Sequence, residues 1–300
     1  MRIGGRMSAR GTGALCLVLL HLLLATPVHA TIVVQDDIGR HVSVTTPAQR
    51  VVSLAPHVTE LLFAAGAGGR IVGTPEYSDY PEAAKRIPRI GSASGLDLER
   101  IAALRPDLIV AWQSGNPSWA LERLLQSRIA VFLSEPRKLE DIASNIERLG
   151  LLTGSAEVAR QASRHFLERY HILQSKYAQR SPVTVFYQVW SDPLMTINGA
   201  HLISAVIRLC GGVNVFADLP ILVPRIGVEA VLQAQPQVIV AAGASDSQAL
   251  AGWRKWSQLQ AVREGNLFLI PYDEIARQTP RVLNGAERLC TALDRARRSR

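Results

Sequence analysis

Between Arg50 and Leu293 short apolar strands alternate with helix-spaced segments in two successive runs, with one long uninterrupted amphipathic stretch between them. The first run reads VVSL, VTELLFAAG, RIVG, LERIAAL, DLIVA, WALERLLQS, IAVFL and LEDIASNIERLG. The second reads PVTVFYQV, LISAVIRLCGG, VEAVLQAQ, QVIVA, a polar Trp-containing helix over Trp253 and Trp256, LFLI and RVLNGAERLCTAL. Strands that alternate with helices of this length build a mostly parallel sheet covered on both faces. The expected class is therefore α/β, with two lobes joined by a single long α-helix. A hairpin is expected ahead of the first lobe, IVVQDDIGRHVSV, turning near Asp37-Ile38-Gly39.

The separating stretch is SAEVARQASRHFLERYHILQSKYAQR, in which Val158, Ala162, Phe166, Tyr170, Leu173 and Tyr177 recur at the helical period. Ser155 is the expected N-cap and Ser181-Pro182 the stop. At about 1.5 Å per residue such a helix is on the order of 37 Å long. A flexible linker would be rich in Gly, Ser or Pro, so this segment reads as a rigid strut. The expected boundaries are an export signal over 1–30, a first lobe over 31–150, the linking helix over 151–181 and a second lobe over 182–300.

One phrase occurs in both lobes. LDLERIAALRPDLIVA from Leu96 and IGVEAVLQAQPQVIVA from Ile226 share a glutamate, an apolar helix, a proline and a strand, with Glu99 and Glu229, Pro106 and Pro236, and Ile109 and Ile239 each 130 residues apart. Each copy is a helix-to-strand unit in which the proline ends the helix.

The N-terminus carries Arg2, Arg6 and Arg10, an apolar run from Ala14 to Ala25, and then Val28-His29-Ala30, the small-x-small pattern of a signal peptidase site. The run is about 12 residues, short of the roughly 20 that span a bilayer. Cys16 lies inside the run rather than behind it, which argues against a lipoprotein. The expectation is a soluble, exported chain cut after Ala30. Three of the 33 basic residues leave with the signal, and four more, Arg295, Arg297, Arg298 and Arg300, crowd the last six positions. The body is close to neutral, with no basic stripe interleaved with aromatics, so no nucleic-acid partner is expected. Two cysteines remain, Cys210 and Cys290, either bridged or two buried thiols. A bridge would close an 80-residue loop and stabilise by roughly 4 kcal/mol on the chain-entropy estimate.

Catalytic signatures are missing from the sequence: no P-loop, no Gly-x-Ser-x-Gly, no His-Glu-x-x-His, no Cys-x-x-Cys. Gly66, Gly68 and Gly69 follow a helix rather than a strand, the wrong setting for a dinucleotide fingerprint. His41, His57, His165, His171 and His201 are scattered, and only His57 opens a helix near the expected crevice. No metal site, no resident cofactor and no enzymatic activity are expected. The aromatics, in contrast, gather in loops: Tyr77 and Tyr80 in PEYSDYP, Trp112 in VAWQSGNPSW, Tyr187 and Trp190 in FYQVWSDP. Loops behind strand C-termini form the ligand crevice of parallel sheets. Flat aromatic walls suit a large, planar, partly apolar guest.

From about Arg50 to Leu293 the chain resembles the periplasmic cobalamin-binding proteins of ABC importers. These fall within the helical-backbone class that also binds iron siderophores and haem. The segments that carry the resemblance are RVVSLAPHVTELLFAAGAG, EYSDYP, LDLERIAALRPDLIVAW, RLCGGVNVF, and TPR ahead of the last helix. The resemblance implies two Rossmann-like lobes joined by one helix and a cysteine pair at Cys210 and Cys290. It implies that Glu99 and Glu229 dock onto arginines of the membrane permease through charge-assisted bonds, one from each lobe. It implies ligand contacts from Tyr77, from Trp112 and from the loop Asp273, Glu274, Ile275, Ala276 and Arg277. Two tryptophans of the family's cobalamin cage are replaced here by Ala93 and Val223, and Trp190 is the candidate in their place.

The expected function is delivery of a corrinoid, cobalamin, to an inner-membrane permease by a monomer, with cobalamin as cargo rather than cofactor. The alternative within the class is haem or a ferric siderophore, for which Arg277 and Arg225 are the only candidate cleft cations. The alternative outside it is a periplasmic metal-chelate enzyme.

Overall fold

The computed structural model describes residues 1–5, 31–92, 95–177, 179–244 and 248–298. The expected export signal with Cys16 and the cut after Ala30, and Ala93, fall outside the described residues. Residues from Ile32 onward form one compact unit. Among the described residues no helix is long and apolar enough to cross a membrane.

The unit opens with the antiparallel pair β1 (Ile32–Gln35) and β2 (His41–Val44), in register Gln35 against His41. Its turn is held by the buried Asp36 carboxylate, which accepts from the amides of Ile38 and Arg40. The first lobe follows: β3 (Val51–Ser53), α1 (Pro56–Ala64), β4 (Ile71–Gly73), α2 (Leu98–Ala103), β5 (Leu108–Trp112), α3 (Ser118–Leu125), β6 (Ala130–Ser134) and α4 (Leu139–Thr153). Then comes the linking helix α5 (Ala156–Tyr177). The second lobe comprises β7 (Val183–Gln188), a ribbon of β8 (Trp190–Ser191) and β9 (Leu194–Met195), α6 (Leu202–Leu209), β10 (Gly212–Asn214), α7 (Val228–Ala234), β11 (Val238–Ala242), α8 (Gln260–Arg263), β12 (Leu267–Ile270), α9 (Tyr272–Ile275) and α10 (Val282–Arg298).

Both sheets are parallel, ordered β4-β3-β5-β6 and β10-β7-β11-β12. Counted within each lobe, both orders are 2-1-3-4. The repeated phrase is thus one topological unit used twice, α2–β5 and α7–β11. The copies agree to a backbone detail: Arg105 and Gln235, each just ahead of its proline, are left-handed with φ of 45° and 44°. That conformation is uncommon outside glycine. Here it turns the chain from helix towards strand, with only residues 104–107 and 235–237 between the elements.

The linking helix spans 22 residues, about 33 Å at the usual rise, slightly shorter than expected. Ser155 does not cap it by side chain; its hydroxyl donates instead to Ala65 O at 2.6 Å. Helix α5 buries Ala159, Phe166, Tyr170, Leu173 and Tyr177, against an apolar core that continues through residues of both lobes. Close approach of α4 and α5 depends on Gly150, where a Cβ would lie 2.2 Å from that of Ala159. The outer faces of the two sheets carry separate cores, one around Val52, Ile101 and Ile109, the other around Phe186, Val231 and Trp253.

The segment expected as a polar Trp-containing helix is a 3-10 turn, Ala251–Trp253, continued by i→i+3 bonds to Trp256. Gly252 in its middle weakens a longer helix. Cys210 and Cys290, both fully buried, are joined by a disulfide between α6's C-cap and α10. Replacing both by serine is expected to lower stability by about 2–5 kcal/mol, measured by urea unfolding of oxidised wild type against the variant.

Candidate functional site

The carboxyl ends of both sheets face one gap. A cavity of about 460 Å³ there is lined from the first lobe by His57 behind β3, Tyr77 and Asp79 behind β4, and Trp112 at the end of β5. From the second lobe come Tyr272, Asp273, Ala276, Arg277 and Gln278, all behind β12. Tyr77 and Tyr272 are exposed at 70% and 60%, so their rings are free to meet a guest.

Trp112 is held from several directions. Its amide donates to Asn116 Oδ1 at 2.7 Å, and Asn116 Nδ2 donates to Leu54 O at 2.9 Å, tying the ends of β5 and β3. The indole lies over Gly115, where a Cβ would be 1.9 Å from the ring. The His57 ring meets it edge-on, centroids 5.0 Å apart at 84°. Burial, aided by the Arg277 charge, pushes the His57 imidazole down to about 3, so it is neutral in any neutral medium.

Glu60, on the buried side of α1, crosses the gap. Arg281 donates to its carboxylate through Nε at 2.8 Å and Nη2 at 2.6 Å, and Arg277 Nη1 donates at 3.0 Å. The Glu60 side chain is 2% exposed, so the pairing is desolvated on the acid side. Arg277 also pairs with Asp273 at 2.9 Å and donates to Tyr77 O at 3.2 Å. Tyr77 is left-handed, φ 63°, a conformation that costs of order 1 kcal/mol in a non-glycine residue; the Arg277 bond helps to hold it. Arg281 stacks over Tyr80, 4.2 Å to the ring centre. Asp79 faces Arg89 at 3.5 Å. Each charged side chain lining the cavity therefore has an opposite partner.

The structure brings together Tyr77, Trp112, Asp273, Ala276 and Arg277. Glu274 and Ile275 do not line the cavity: Glu274 accepts from Arg288 at 2.7 Å, and Ile275 is fully buried in the core. The reason is helical rotation, about 100° per residue, which turns the consecutive pair Glu274 and Ile275 away from the wall that holds Asp273 and Ala276. Trp190 does not line the cavity either. It sits on the β8–β9 ribbon, 61% exposed, its Nε1 donating to Asp192 O. Arg225 is exposed and bridged to Met195 outside the cavity. Val223 is half-buried outside the lining. Tyr187 is buried, and burial pushes its phenol up, aided by Tyr272. Glu60, Gly115, Asn116 and Tyr272 were missed. Their signals were a glutamate within an apolar helix start, the WQSGN spacing behind a strand, and a tyrosine two residues past the strand LFLI. Glu99 and Glu229 are exposed second residues of α2 and α7, with no ion pair among the described residues. Among the described residues no group of side chains could hold a metal ion.

Residues 51–274 match the periplasmic binding protein family. The chain belongs to that family. It is 39% identical over 251 residues to the vitamin B12-binding protein of Vibrio cholerae, covering 82% of this chain and 90% of that one. The crystal structure of the periplasmic vitamin B12 binding protein BtuF of Vibrio cholerae superimposes with a TM-score of 0.79 at 39% identity, over 84% of this chain and 98% of that. The periplasmic heme-binding protein RhuT from Roseiflexus shares the fold, with a TM-score of 0.72 at 22% identity over 83% of this chain and 99% of that.

Three outcomes follow from the site. Glu60→Gln leaves two guanidiniums short of a counter-charge and should lower unfolding free energy by about 3 kcal/mol, read from urea curves. Gly115→Ala should displace the indole, changing the near-ultraviolet dichroism at a loss of about 1–3 kcal/mol. That loss should vanish in a Trp112→Ala background. His57 and His201, the latter held by burial at about 4 while its Nδ1 accepts from the Ile203 amide at 3.1 Å, bind protons more readily when unfolded. Both therefore contribute full stability above the unfolded value of about 6.5 and lose it as pH falls towards their folded values. Urea unfolding from about pH 7 to about pH 5 should show that decline, and His57→Gln should make it shallower.

Proposed function

We propose that this periplasmic binding protein captures a corrinoid, cobalamin, in the gap between its lobes and delivers it to the permease of an ABC importer in the inner membrane. The observation that supports this best is the lining of the cleft. Tyr77, Trp112 and Tyr272 offer aromatic surface from both lobes, while Arg277 and Asp273 neutralise one another and Arg277 is further committed to Glu60. A flat, largely uncharged macrocycle fits such a lining. Haem carries two propionates, and a ferric siderophore is commonly anionic; either would want a cation that the lining does not leave free. The names of the relatives over more than four-fifths of the chain point the same way.

Contacts to the guest come from Tyr77, Trp112, Asp273, Ala276 and Arg277. Arg277 acts chiefly by fixing Tyr77. Glu99 and Glu229, exposed on equivalent helices of the two lobes, dock onto permease arginines. A carboxylate and a guanidinium form charge-assisted, often bidentate bonds that set orientation. The chain is exported, processed after Ala30 and acts as a monomer.

Isothermal titration of the processed protein with cyanocobalamin, dicyanocobinamide, haemin and a ferric hydroxamate decides the cargo. Heat with cyanocobalamin is expected. Silence with both corrinoids would remove this reading, and heat with haemin alone would reassign the cleft. Glu99→Ala with Glu229→Ala should abolish transport and leave the ligand Kd unchanged; a parallel loss of affinity contradicts docking. Intact mass of the periplasmic protein should place Thr31 at the N-terminus.

A further inference from the structure

The chain ends on a crowd of arginines for which neither the cleft nor the docking acids have a use. Three of them, Arg295, Arg297 and Arg298, close α10 within the described residues. Arg297 fixes where that end lies. It donates from Nε to Ser181 O at 2.8 Å, and from Nη2 to Cys210 O at 2.8 Å and Gly211 O at 3.2 Å. Ser181 leads into β7 and Gly211 into β10, so α10 ends at the amino edge of the second sheet. Arg295 lies over the ring of Phe268, near the start of β12, at 5.9 Å.

Two further helices finish at the same edge. Helix α5 runs out through Lys176 into the segment before β7, and α8 ends on Arg263 ahead of β12. Helices that connect parallel strands run back against them, so their carboxyl ends gather where the strands begin. The segments 176–181, 263–267 and 294–298 together hold six cations and two carboxylates. Both acids are engaged: Asp294 pairs with Arg297, and Glu264 accepts from Gln260 and Asn266. Lys176, Arg180, Arg263 and Arg298 are exposed and make no ion pair with a described residue. The helix dipole favours a cation at each such end. It accounts for single residues; the topology brings three of these ends to one edge.

The chemistry of the edge selects its partner. None of the three segments exposes a large apolar side chain, the anchor on which a protein interface is centred. No exposed ring stands among the cations, as stacking on the bases of a nucleic-acid strand requires. What is left is a spread of positive charge, the complement of a plane of phosphates. The permease that such a protein serves is set in a plane of that kind.

We propose that the amino edge of the second lobe adsorbs the protein reversibly on anionic phospholipid headgroups. The cleft and Glu229, which stands in the first turn of α7, lie towards the carboxyl edge of the same sheet. Adsorption therefore leaves the cleft uncovered, and adsorption and docking use opposite edges of one lobe. Between deliveries the protein is held in the layer where its permease is met. The inference does not depend on which guest the cleft takes.

The test sediments the processed protein with vesicles of phosphatidylethanolamine and phosphatidylglycerol, and separately with vesicles of phosphatidylcholine. At about 0.1 M salt, where the screening length is about 10 Å, binding to the anionic vesicles alone is expected. At about 1 M salt, where that length falls to about 3 Å, it should be lost. Near an anionic bilayer each basic residue contributes about fivefold to partitioning, so Lys176→Gln with Arg180→Gln and Arg298→Gln should lower it about 100-fold. The charge-keeping set Lys176→Arg, Arg180→Lys and Arg298→Lys should bind as wild type does, which separates charge from damage to the helix ends. Removing equal charge from the first lobe, by Arg86→Gln with Arg123→Gln and Arg128→Gln, should lower partitioning by less than about fivefold. Equal losses for the two lobes overturn the assignment to this edge, as does equal binding to both kinds of vesicle or none to either. Retention on peptidoglycan without retention on vesicles gives the edge another partner and overturns it too. Every variant should keep the cyanocobalamin Kd of wild type within about twofold. A wild type that binds no corrinoid strikes at the cargo reading and leaves the vesicle result standing.

Discussion

A single carboxylate from one lobe, buried against two guanidiniums of the other, is the contact on which the geometry of the gap depends. Glu60 is anchored in α1, and Arg277 and Arg281 lie just behind α9. Burying an ionised carboxylate is unfavourable unless it is paired and hydrogen-bonded, and here three donors meet it. The arrangement has consequences on both sides. It commits both arginines, so their charge is not offered to a guest. It also lets Arg277 reach Tyr77 O, holding an aromatic ring of the first lobe by a side chain of the second.

The linking helix acts with that contact. Its apolar face is packed into a core containing residues of both sheets, so separating the lobes would expose apolar surface as well as the buried ion pairs. Moderate motion of the gap is compatible with this, wide opening is not. A binding protein built so meets its guest with walls already placed, and the cost of ordering them is borne by the fold rather than by the encounter. Trp112 shows the same principle at the scale of one residue. Asn116 holds its backbone, Gly115 makes room for its ring, and His57 meets its edge.

The duplicated architecture gives this single chain two crevices of the same origin. Both lobes follow the order 2-1-3-4, and each has a cavity where the strand connections reverse. They differ in chemistry: one combines aromatic rings with paired charges, the other sets a lysine beside a tryptophan. The equivalent acids Glu99 and Glu229 open the equivalent helices α2 and α7. A two-sided partner would meet the same feature twice.

The alternation of strand and helix, the long helix and the paired phrase were legible because they rest on local periodicity, which any window of the chain carries. Tyr77 and Trp112 were legible because they stand at or behind strand ends, where parallel sheets expose side chains, whereas Asp273 and Arg277 came only from the resemblance to a family. Glu274 and Ile275 were misplaced because a loop without visible period turned out to be a helical turn, and Trp190 because the β8–β9 ribbon takes it away from the edge of β7. The pairing of Arg277 with Glu60 was not legible at all, since the two lie more than two hundred positions apart in the chain. Sequence alone determined the kinds of elements, their order and two of the aromatic side chains of the cleft, Tyr77 and Trp112, because those follow from short-range spacing and side-chain chemistry. Only the tertiary structure decided which charges are used up, which ring rests on which glycine and where the second crevice opens, because these are set by contacts between segments that no local pattern relates.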